Sequence, residues 1–298
     1  MKRKPYRFLL YLLLRFFHLI ILILPYRIAV FLGGFFGSLA YAILPKYRDI
    51  TLCNLRNVFR GEKEERQIKE IAGSVFSSLG KSGAEYLSLP KLSKKSIMQL
   101  VDDEGTATLK KALSQGNGVI ALSSHLGNWE MCAAYVVIAG LDVTVIAKRI
   151  YYHYYDKFLV SLRGSKGVKT LYRDDKSVIK KSLQILKSNK VLAIVPDQDV
   201  DSVNSVFVDF FGRKAYTPTG PANLALLTGA PIVPAFTVRR NGKLCFLADK
   251  PIYAKPSGDK KKDIIKYTQE WSSVVEKYIR MYPSQWVWMH RRWKTRPK

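Results

Sequence analysis

The sequence predicts an α/β fold: a mixed, mostly parallel central sheet flanked by helices, preceded by an N-terminal hydrophobic membrane helix. Two apolar runs without polar alternation, 119–122 and 191–195, are typical of strands that a parallel sheet buries on both faces. A helix-compatible segment, 131–139, follows the first run. The length suits one large domain or two small ones, and we expect a membrane-anchoring region, 1–45, followed by an α/β domain, 46–298.

Periodicity and turn residues place the other elements in order. Apolar residues at three-and-four spacing after residue 62 predict an amphipathic helix, and 97–113 is expected to be helical as well. Asn241-Gly242, between two apolar runs, is typical of the type I′ turn of a β-hairpin. The remaining predicted elements are strands at 141–147, 232–238 and 244–248 and helices at 178–186, 221–227 and 264–282.

The charge balance indicates a polyanionic partner. Lys and Arg number 49 against 23 Asp and Glu, which gives a formal net charge of +26. An excess of this size favours either nucleic acid or an anionic membrane with phosphorylated lipids. The three cysteines and four histidines form no spaced ligand set, so we expect neither a disulfide framework nor a structural metal.

The N-terminal region predicts attachment to a membrane. Three basic residues, 2–4, precede an apolar run at 8–24, which is at the short limit for crossing about 30 Å of hydrocarbon. Arg15 near its middle adds roughly 2.5–3.5 kcal/mol to the cost of insertion. Both flanks are basic, and a single span cannot keep both on the cytoplasmic side. We therefore favour a helix embedded in the inner leaflet, or a re-entrant hairpin with the second apolar run, 30–44, over a single span or a buried soluble helix.

A candidate acid–base pair follows the first buried strand. His125 lies at the carboxyl end of that strand, the edge at which α/β sheets usually bind ligands. A histidine that removes a proton from an alcohol works best when a carboxylate fixes its tautomer. Glu130, in the first turn of the next helix, can fold back toward His125 if Gly127 allows a tight turn. The spacing alone also allows His125 to be an ordinary strand-end histidine and Glu130 an ordinary acidic residue at a helix start.

Polar residues follow two more strands at the same expected edge. Arg149 follows the carboxyl end of the strand at 141–147, and its guanidinium could bind a phosphate with two hydrogen bonds. Arg163 and Arg173 are weaker candidates of the same kind. Asp197 and Asp199 end the third strand, where unpaired carboxylates are costly. We expect one of the two to belong to the site, without a choice between them.

Several strings resemble one known family. Ser-His-Leu-Gly-Asn-Trp-Glu at 124–130 resembles the signature of the bacterial lipid A biosynthesis acyltransferases, the late lauroyl and myristoyl enzymes. These are distant relatives of the glycerolipid acyltransferases, which carry a His-x4-Asp motif. Asp-Gln-Asp at 197–199, Phe-Phe-Gly at 210–212 and Trp-x-His-Arg-Arg at 288–292 resemble further motifs of the family, in the same order. The resemblance extends over roughly residues 8–296.

The resemblance implies a glycerolipid-acyltransferase-like fold and transfer of a fatty acyl chain from acyl carrier protein to a hydroxyl of a lipid A precursor. His125 would be the general base, aided by Glu130, without an acyl-enzyme intermediate and without a metal or organic cofactor. The expected substrate-binding residues are Arg149, Asp197, Asp199, Asn128 and Arg163. The expected partners are acyl carrier protein, a phosphorylated glycolipid and the anionic leaflet of the bacterial inner membrane, with the catalytic domain facing the cytoplasm. The arginine- and tryptophan-rich tail would suit a membrane headgroup surface or a lipid phosphate.

Two alternatives stand beside this interpretation. The first is an acyltransferase of the same superfamily that uses another glycolipid or an aminolipid as acceptor, or acyl-CoA as donor. The second is a non-catalytic, membrane-attached protein that binds nucleic acid through its basic surface. The second leaves the His-x4-Glu string and the Asp-Gln-Asp loop without an explanation.

Overall fold

The computed structural model describes residues 6–297; the basic residues 2–4 of the membrane prediction lie outside this range. The helices are α1 (Tyr6–Ile23), α2 (Tyr26–Ile43), α3 (Pro45–Val58), α4 (Glu65–Ser88), α5 (Lys94–Leu100), α6 (Thr106–Leu113), α7 (Trp129–Ile138), α8 (His153–Gly164), α9 (Val178–Lys187), α10 (Gly220–Thr228) and α11 (Lys260–Met281). The strands are β1 (Val101–Glu104), β2 (Val119–Leu122), β3 (Val143–Ala147), β4 (Lys169–Tyr172), β5 (Val191–Ile194), β6 (Ser205–Phe210), β7 (Arg213–Pro218), β8 (Ile232–Arg240) and β9 (Lys243–Ala248).

Seven strands form one sheet in the order β1-β9-β8-β2-β5-β3-β4, and β6 and β7 form a separate hairpin. Within the sheet β8 and β9 pair antiparallel, and the other neighbours pair parallel. The predicted α/β class, with a mixed and mostly parallel sheet flanked by helices, is confirmed. Strand β5 lies between β2 and β3, so the carboxyl ends of all three strands meet at one edge. The residues that follow these strands are the candidate site residues.

One local prediction failed, one hairpin was missed, and one turn was right. The segment 97–113 is not one helix, because β1 interrupts it; only the first residue of this acidic edge strand is buried, so it lacks a strand's apolar signature. The β6–β7 hairpin was not predicted, although four of the six residues of β6 are apolar. The turn at Asn241 and Gly242 has φ values of 52° and 79°, as a type I′ turn requires.

Helices α1 and α2 are long and apolar enough to cross a membrane and expose most of their large side chains. They are compatible with membrane association. Helix α2 packs along α4 through a glycine contact: a Cβ on Gly80 would lie 2.0 Å from the carbonyl oxygen of Gly33. Lys91 donates hydrogen bonds to the carbonyl oxygens of Ile21 and Leu24, which fastens the end of α1. Helices α1 and α2, together called the apolar hairpin below, are therefore docked on the α/β domain.

The C-terminal tail, residues 282–297, is largely buried in the protein. Trp286 and Trp288 are 2% and 0% exposed, and the guanidinium of Arg292 donates to the carbonyl oxygen of Tyr216. The side-chain amide of Asn54 on α3 donates to the carbonyl oxygen of Trp288 at 2.7 Å. The expectation of a headgroup surface was wrong for the tryptophans and Arg292, which are buried, whereas Arg291, Lys294 and Arg296 are exposed. The indoles fill the core between α3 and the β6–β7 hairpin.

Candidate active site

The loop that carries His125, residues 123–128, is called the histidine loop below and is fixed by backbone contacts. Gly127 has φ 63°, and a Cβ at this position would lie 2.1 Å from the carbonyl oxygen of Thr237, so only glycine fits. Its N–H donates to the carbonyl oxygen of Gln285 at 2.9 Å, and the N–H of Asn128 donates to that of Thr237 at 2.8 Å. The position of the histidine after β2 is thus set by β8 and by the tail.

Asp197 holds the ring of His125. Its Oδ1 lies 2.7 Å from Nδ1 of the ring, and its Oδ2 accepts the backbone N–H of His125 at 2.8 Å. The indole N–H of Trp286 donates to the same Oδ2 at 2.8 Å. With Nδ1 occupied, Nε2 is the ring nitrogen left for a ligand, as in hydrolase triads in which a buried aspartate selects the tautomer.

The pair also tunes the charge state of the histidine. Burial lowers the pKa of His125, but the negative charge and hydrogen bond of Asp197, with a smaller contribution from the charge of Glu130, outweigh it and leave the pKa raised. Burial favours the neutral form of Asp197, yet the charge and hydrogen bonds of His125 and the indole of Trp286 hold its pKa below the ordinary value. His125 is therefore a stronger base than an isolated imidazole.

Glu130 does not make the expected contact with the imidazole. Its two carboxylate oxygens accept hydrogen bonds from Nε and Nη2 of Arg163 at 2.7 and 2.5 Å. The first turn of α7 directs Glu130 toward α8, whereas β5 lies directly beside β2 and brings Asp197 to the ring. The expectation of direct contact between Glu130 and the imidazole was wrong, because Glu130 pairs with Arg163 instead.

Asn128 is built into the scaffold. Its side chain accepts the N–H of Met131 as the N-cap of α7 and donates to Oε2 of Glu85 at 2.8 Å. It is 2% exposed. Glu85 is fully buried and also accepts hydrogen bonds from Arg239 at 2.7 Å and from the hydroxyl of Tyr26 on α2 at 3.1 Å. Glu85 thus joins the apolar hairpin to the histidine loop, and Asn128 is not placed to touch a substrate.

The remaining candidates have different surroundings. Arg149 is half exposed; its guanidinium lies 3.7 Å from the ring centre of Tyr172 and 3.3 Å from Asp174, outside the central cavity. Asp199 is 3% exposed and accepts hydrogen bonds from the N–H and the hydroxyl of Thr295, both at 2.9 Å. Asp199 therefore fastens the tail, while Asp197 fastens the histidine.

A cavity of about 1600 Å³ opens at this edge of the sheet. His125, Glu130 and Arg163 line it. Further basic residues around it are Lys148, Arg173 and Lys294. The apolar residues that line it include Leu109, Ala121, Cys132, Ala133, Val136, Val143, Val145, Val191 and Ala193. The cavity therefore combines a base, several cations and an apolar recess. Among residues 6–297, no group of three or more His, Cys, Asp or Glu side chains is placed to hold a metal ion.

Two residues of the site were not identified as such from the sequence. Trp286 binds Asp197, and His290 lines the cavity. His290 belongs to the Trp-x-His-Arg-Arg string at 288–292, and Trp286 lies two residues before it. This segment was interpreted as a surface feature because its arginines and tryptophans suit a membrane interface.

Comparisons with known proteins agree on one family. The sequence model of the family described as bacterial lipid A biosynthesis acyltransferase matches residues 2–295. A lipid A biosynthesis lauroyltransferase of Escherichia coli is 29% identical over 286 residues, covering 92% of this chain and 88% of that protein. A lipid A biosynthesis palmitoleoyltransferase of the same species is 27% identical over 283 residues, covering 92% and 87%. A phosphatidylinositol mannoside acyltransferase of Mycobacterium tuberculosis is 26% identical over 223 residues, covering 72% and 68%.

Proposed function

Because the chain belongs to the bacterial lipid A biosynthesis acyltransferase family, we propose that it transfers a fatty acyl chain from acyl carrier protein to a hydroxyl of a lipid A precursor. The observation that carries the proposal is the hydrogen-bonded pair of His125 and Asp197 on a cavity with cationic and apolar walls. A base, a phosphate-binding rim and a recess for a hydrocarbon chain are the parts that this reaction needs. The family assignment makes the chain an O-acyltransferase, so the non-catalytic alternative is wrong.

In the proposed reaction, Nε2 of His125 removes the proton of the acceptor hydroxyl. The alkoxide oxygen attacks the carbonyl carbon of the thioester, and a C–O bond forms. Collapse of the tetrahedral intermediate breaks the C–S bond, and the thiolate takes the proton from the imidazolium. Asp197 keeps the proton of Nδ1 in place and stabilises the imidazolium.

The cations around the cavity are assigned to the acceptor phosphates. Lys148, Arg173 and Lys294 line the cavity, whereas Arg149 does not, so we transfer the phosphate-binding role expected of Arg149 to these three residues. The hydrogen bonds between Arg163 and Glu130 would keep both side chains at the cavity wall, where Arg163 adds to the positive charge. The net charge of +26 favours an acidic carrier protein and an anionic leaflet. We place α1 and α2 in the inner membrane with the α/β domain on its cytoplasmic side.

A second acceptor class has support from one comparison. The mycobacterial relative is named for phosphatidylinositol mannoside, a glycolipid other than lipid A. A related glycolipid acceptor is therefore the alternative for this chain. Mass spectrometry of lipids from a deletion strain separates the two: unchanged lipid A acylation together with a lost acyl chain on another glycolipid would establish the alternative.

Purified full-length protein, assayed with acyl carrier protein thioester and a lipid A precursor, tests the mechanism. We expect His125→Ala to lower turnover by about 10²–10⁴-fold, because the general base is lost. The exposed His153 supplies a matched control, since His153→Ala leaves the cavity untouched. Near-normal turnover of His125→Ala would refute the base assignment, and a preference for acyl-CoA would refute the donor assignment.

A further inference from the structure

A second histidine, His290, is held at the wall of the same cavity as His125. The N–H of Val287 donates to the carbonyl oxygen of His125 at 3.1 Å, which aligns the tail with the histidine loop. Three residues further on, the carbonyl oxygen of His290 accepts the side-chain amide of Asn54 at 3.0 Å. The backbone on both sides of the ring is therefore fixed, and the position of the imidazole is set before a substrate arrives.

The ring itself has no hydrogen-bond partner among residues 6–297. Its Nδ1 is buried without a partner, so this side of the ring is closed off by the protein. Because the residue lines the cavity, Nε2 is the nitrogen that a bound molecule can reach. Nδ1 has no acceptor for a proton, so the single proton of a neutral ring is better placed on Nε2, where a bound molecule can accept it.

The surroundings keep this imidazole neutral. Burial is the main cause of a fall in the pKa of His290 to about 4; the carboxylates of Asp197 and Asp199 oppose it, and the charges of Arg292 and His125 add to it. Arg292 is itself 1% exposed and is held by the carbonyl oxygen of Tyr216. A neutral imidazole carries one N–H and can serve as a hydrogen-bond donor, but it is neither a strong acid nor a second imidazolium.

We propose that His290 is a further catalytic residue, whose Nε2–H donates a hydrogen bond to the oxyanion that develops on the thioester carbonyl. This inference rests on the acyl transfer proposed above. When the acceptor oxygen adds to the carbonyl carbon, the C=O electron pair moves to the carbonyl oxygen, and a donor already in position stabilises that charge without reorganisation. His125 moves the proton while His290 holds the oxyanion, so the two histidines have separate tasks.

The test compares His290→Gln with His290→Met in the full-length protein. The two side chains have nearly the same shape, but only glutamine has an N–H donor. We expect His290→Met to lower kcat by about 10²–10³-fold, and His290→Gln to retain at least about tenfold more activity, with little change in either KM. Hydrolysis of the thioester by water passes through the same oxyanion and should fall by the same factor. His153→Met serves as the control for replacement of a histidine outside the cavity.

Two results would overturn the assignment. One is a His290→Met variant with wild-type kcat; the other is a rise in the acceptor KM with unchanged thioester hydrolysis, which would indicate acceptor binding instead. If the methionine variant does not fold, His290→Ala with added imidazole replaces it, and failure of imidazole to restore turnover then overturns the proposal. A wild-type protein that transfers no acyl chain would instead refute the proposed function, so the two failures are distinguishable.

Discussion

At the residue scale, the carboxylate of Asp197 controls the histidine through two separate hydrogen bonds. One oxygen holds the ring, and the other holds the backbone N–H of the same residue together with the indole of Trp286. The carboxylate is 2% exposed, so each of these bonds forms in a medium of low polarity. Ring orientation and loop position therefore depend on one side chain.

We expect Asp197→Asn to lower kcat/KM by about 10²–10⁴-fold, because an amide can donate to Nδ1 and hold the ring in the wrong tautomer. The pH–rate profile adds a second readout. The base must be neutral, so the rate rises with pH through the raised pKa of His125, above its ordinary value of 6.5. Asp197→Asn removes the negative charge beside His125 and so lowers the pKa of His125. The acidic limb of the pH–rate profile should therefore move to lower pH.

Asp49→Asn is the matched control, since Asp49 is exposed on α3 and pairs with Arg48. An acidic limb at an unchanged pH in Asp197→Asn would show that another group sets the pKa of the base. An equal shift of the acidic limb in Asp49→Asn would show that the overall surface charge, and not Asp197, sets the pKa of the base.

The sequence predicted the histidine but could not choose its partner. Glu130 was favoured because it lies five positions after His125, whereas Asp197 lies 72 positions after it. Which strand lies beside β2 depends on packing of the whole sheet, and the apolar runs of β3 and β5 are equally suitable neighbours by composition. Proximity along the chain therefore suggested a carboxylate that does not contact the ring, although both acids were recognised as candidates.

At the element scale, α2 and α4 approach through surfaces without side chains. A Cβ on Gly37 would lie 2.2 Å from the carbonyl oxygen of Phe76, and one on Gly33 would lie 2.5 Å from that of Gly80. Small residues allow helix backbones to approach this closely, and the gain comes from van der Waals contact over the length of the interface. Because the opposing atoms belong to the backbone, they cannot move aside as a side chain would.

We expect Gly80→Ala to destabilise the protein by about 1–3 kcal/mol through overpacking against α2. A methyl group added to Gly83, on the same helix, would meet no atom of residues 6–297 within 4 Å apart from its chain neighbours and the nearby backbone of α4. Gly83→Ala should therefore stabilise α4 by up to about 1 kcal/mol. Urea unfolding in detergent micelles measures both changes. Equal effects of the two substitutions would show that helix propensity, and not the contact with α2, governs this region.

Elements with strong periodicity were predictable, and elements defined by their neighbours were not. The buried strands β2 and β5 and the amphipathic helices α4 and α11 have clear patterns in the sequence. Strand β1 exists because its backbone pairs with β9, not because of its own acidic residues. The tail similarly takes its position from the core it fills, which explains why its composition suggested a membrane surface instead.

At the scale of the whole molecule, two different forces are available for membrane association. Helices α1 and α2 expose leucine, isoleucine and phenylalanine side chains over most of their length. The rest of the chain carries most of the excess of basic residues. Burial of apolar surface is insensitive to moderate salt, whereas attraction between exposed charges is screened.

We therefore expect binding to vesicles that contain anionic lipids to weaken as NaCl rises from about 0.1 M to about 1 M, where the Debye length falls from about 10 Å to about 3 Å. Binding to vesicles of zwitterionic lipid alone should be weaker and nearly independent of salt, because only the apolar helices contribute. Co-sedimentation measures both. Salt-independent binding to the anionic vesicles would show that the charge excess serves a soluble partner and not the lipid surface.

The buried carboxylate of Glu85 accepts hydrogen bonds from Tyr26 on the apolar hairpin and from Asn128 on the histidine loop. Because of this contact, the choice of detergent affects the activity that is measured. A detergent that lifts α2 away from α4 takes Tyr26 from Glu85 and loosens the loop, while the sheet and its circular dichroism spectrum stay intact. We expect such a preparation to be inactive with native secondary structure and to recover activity on transfer into lipid nanodiscs, whereas an assay with the wrong substrate would stay inactive.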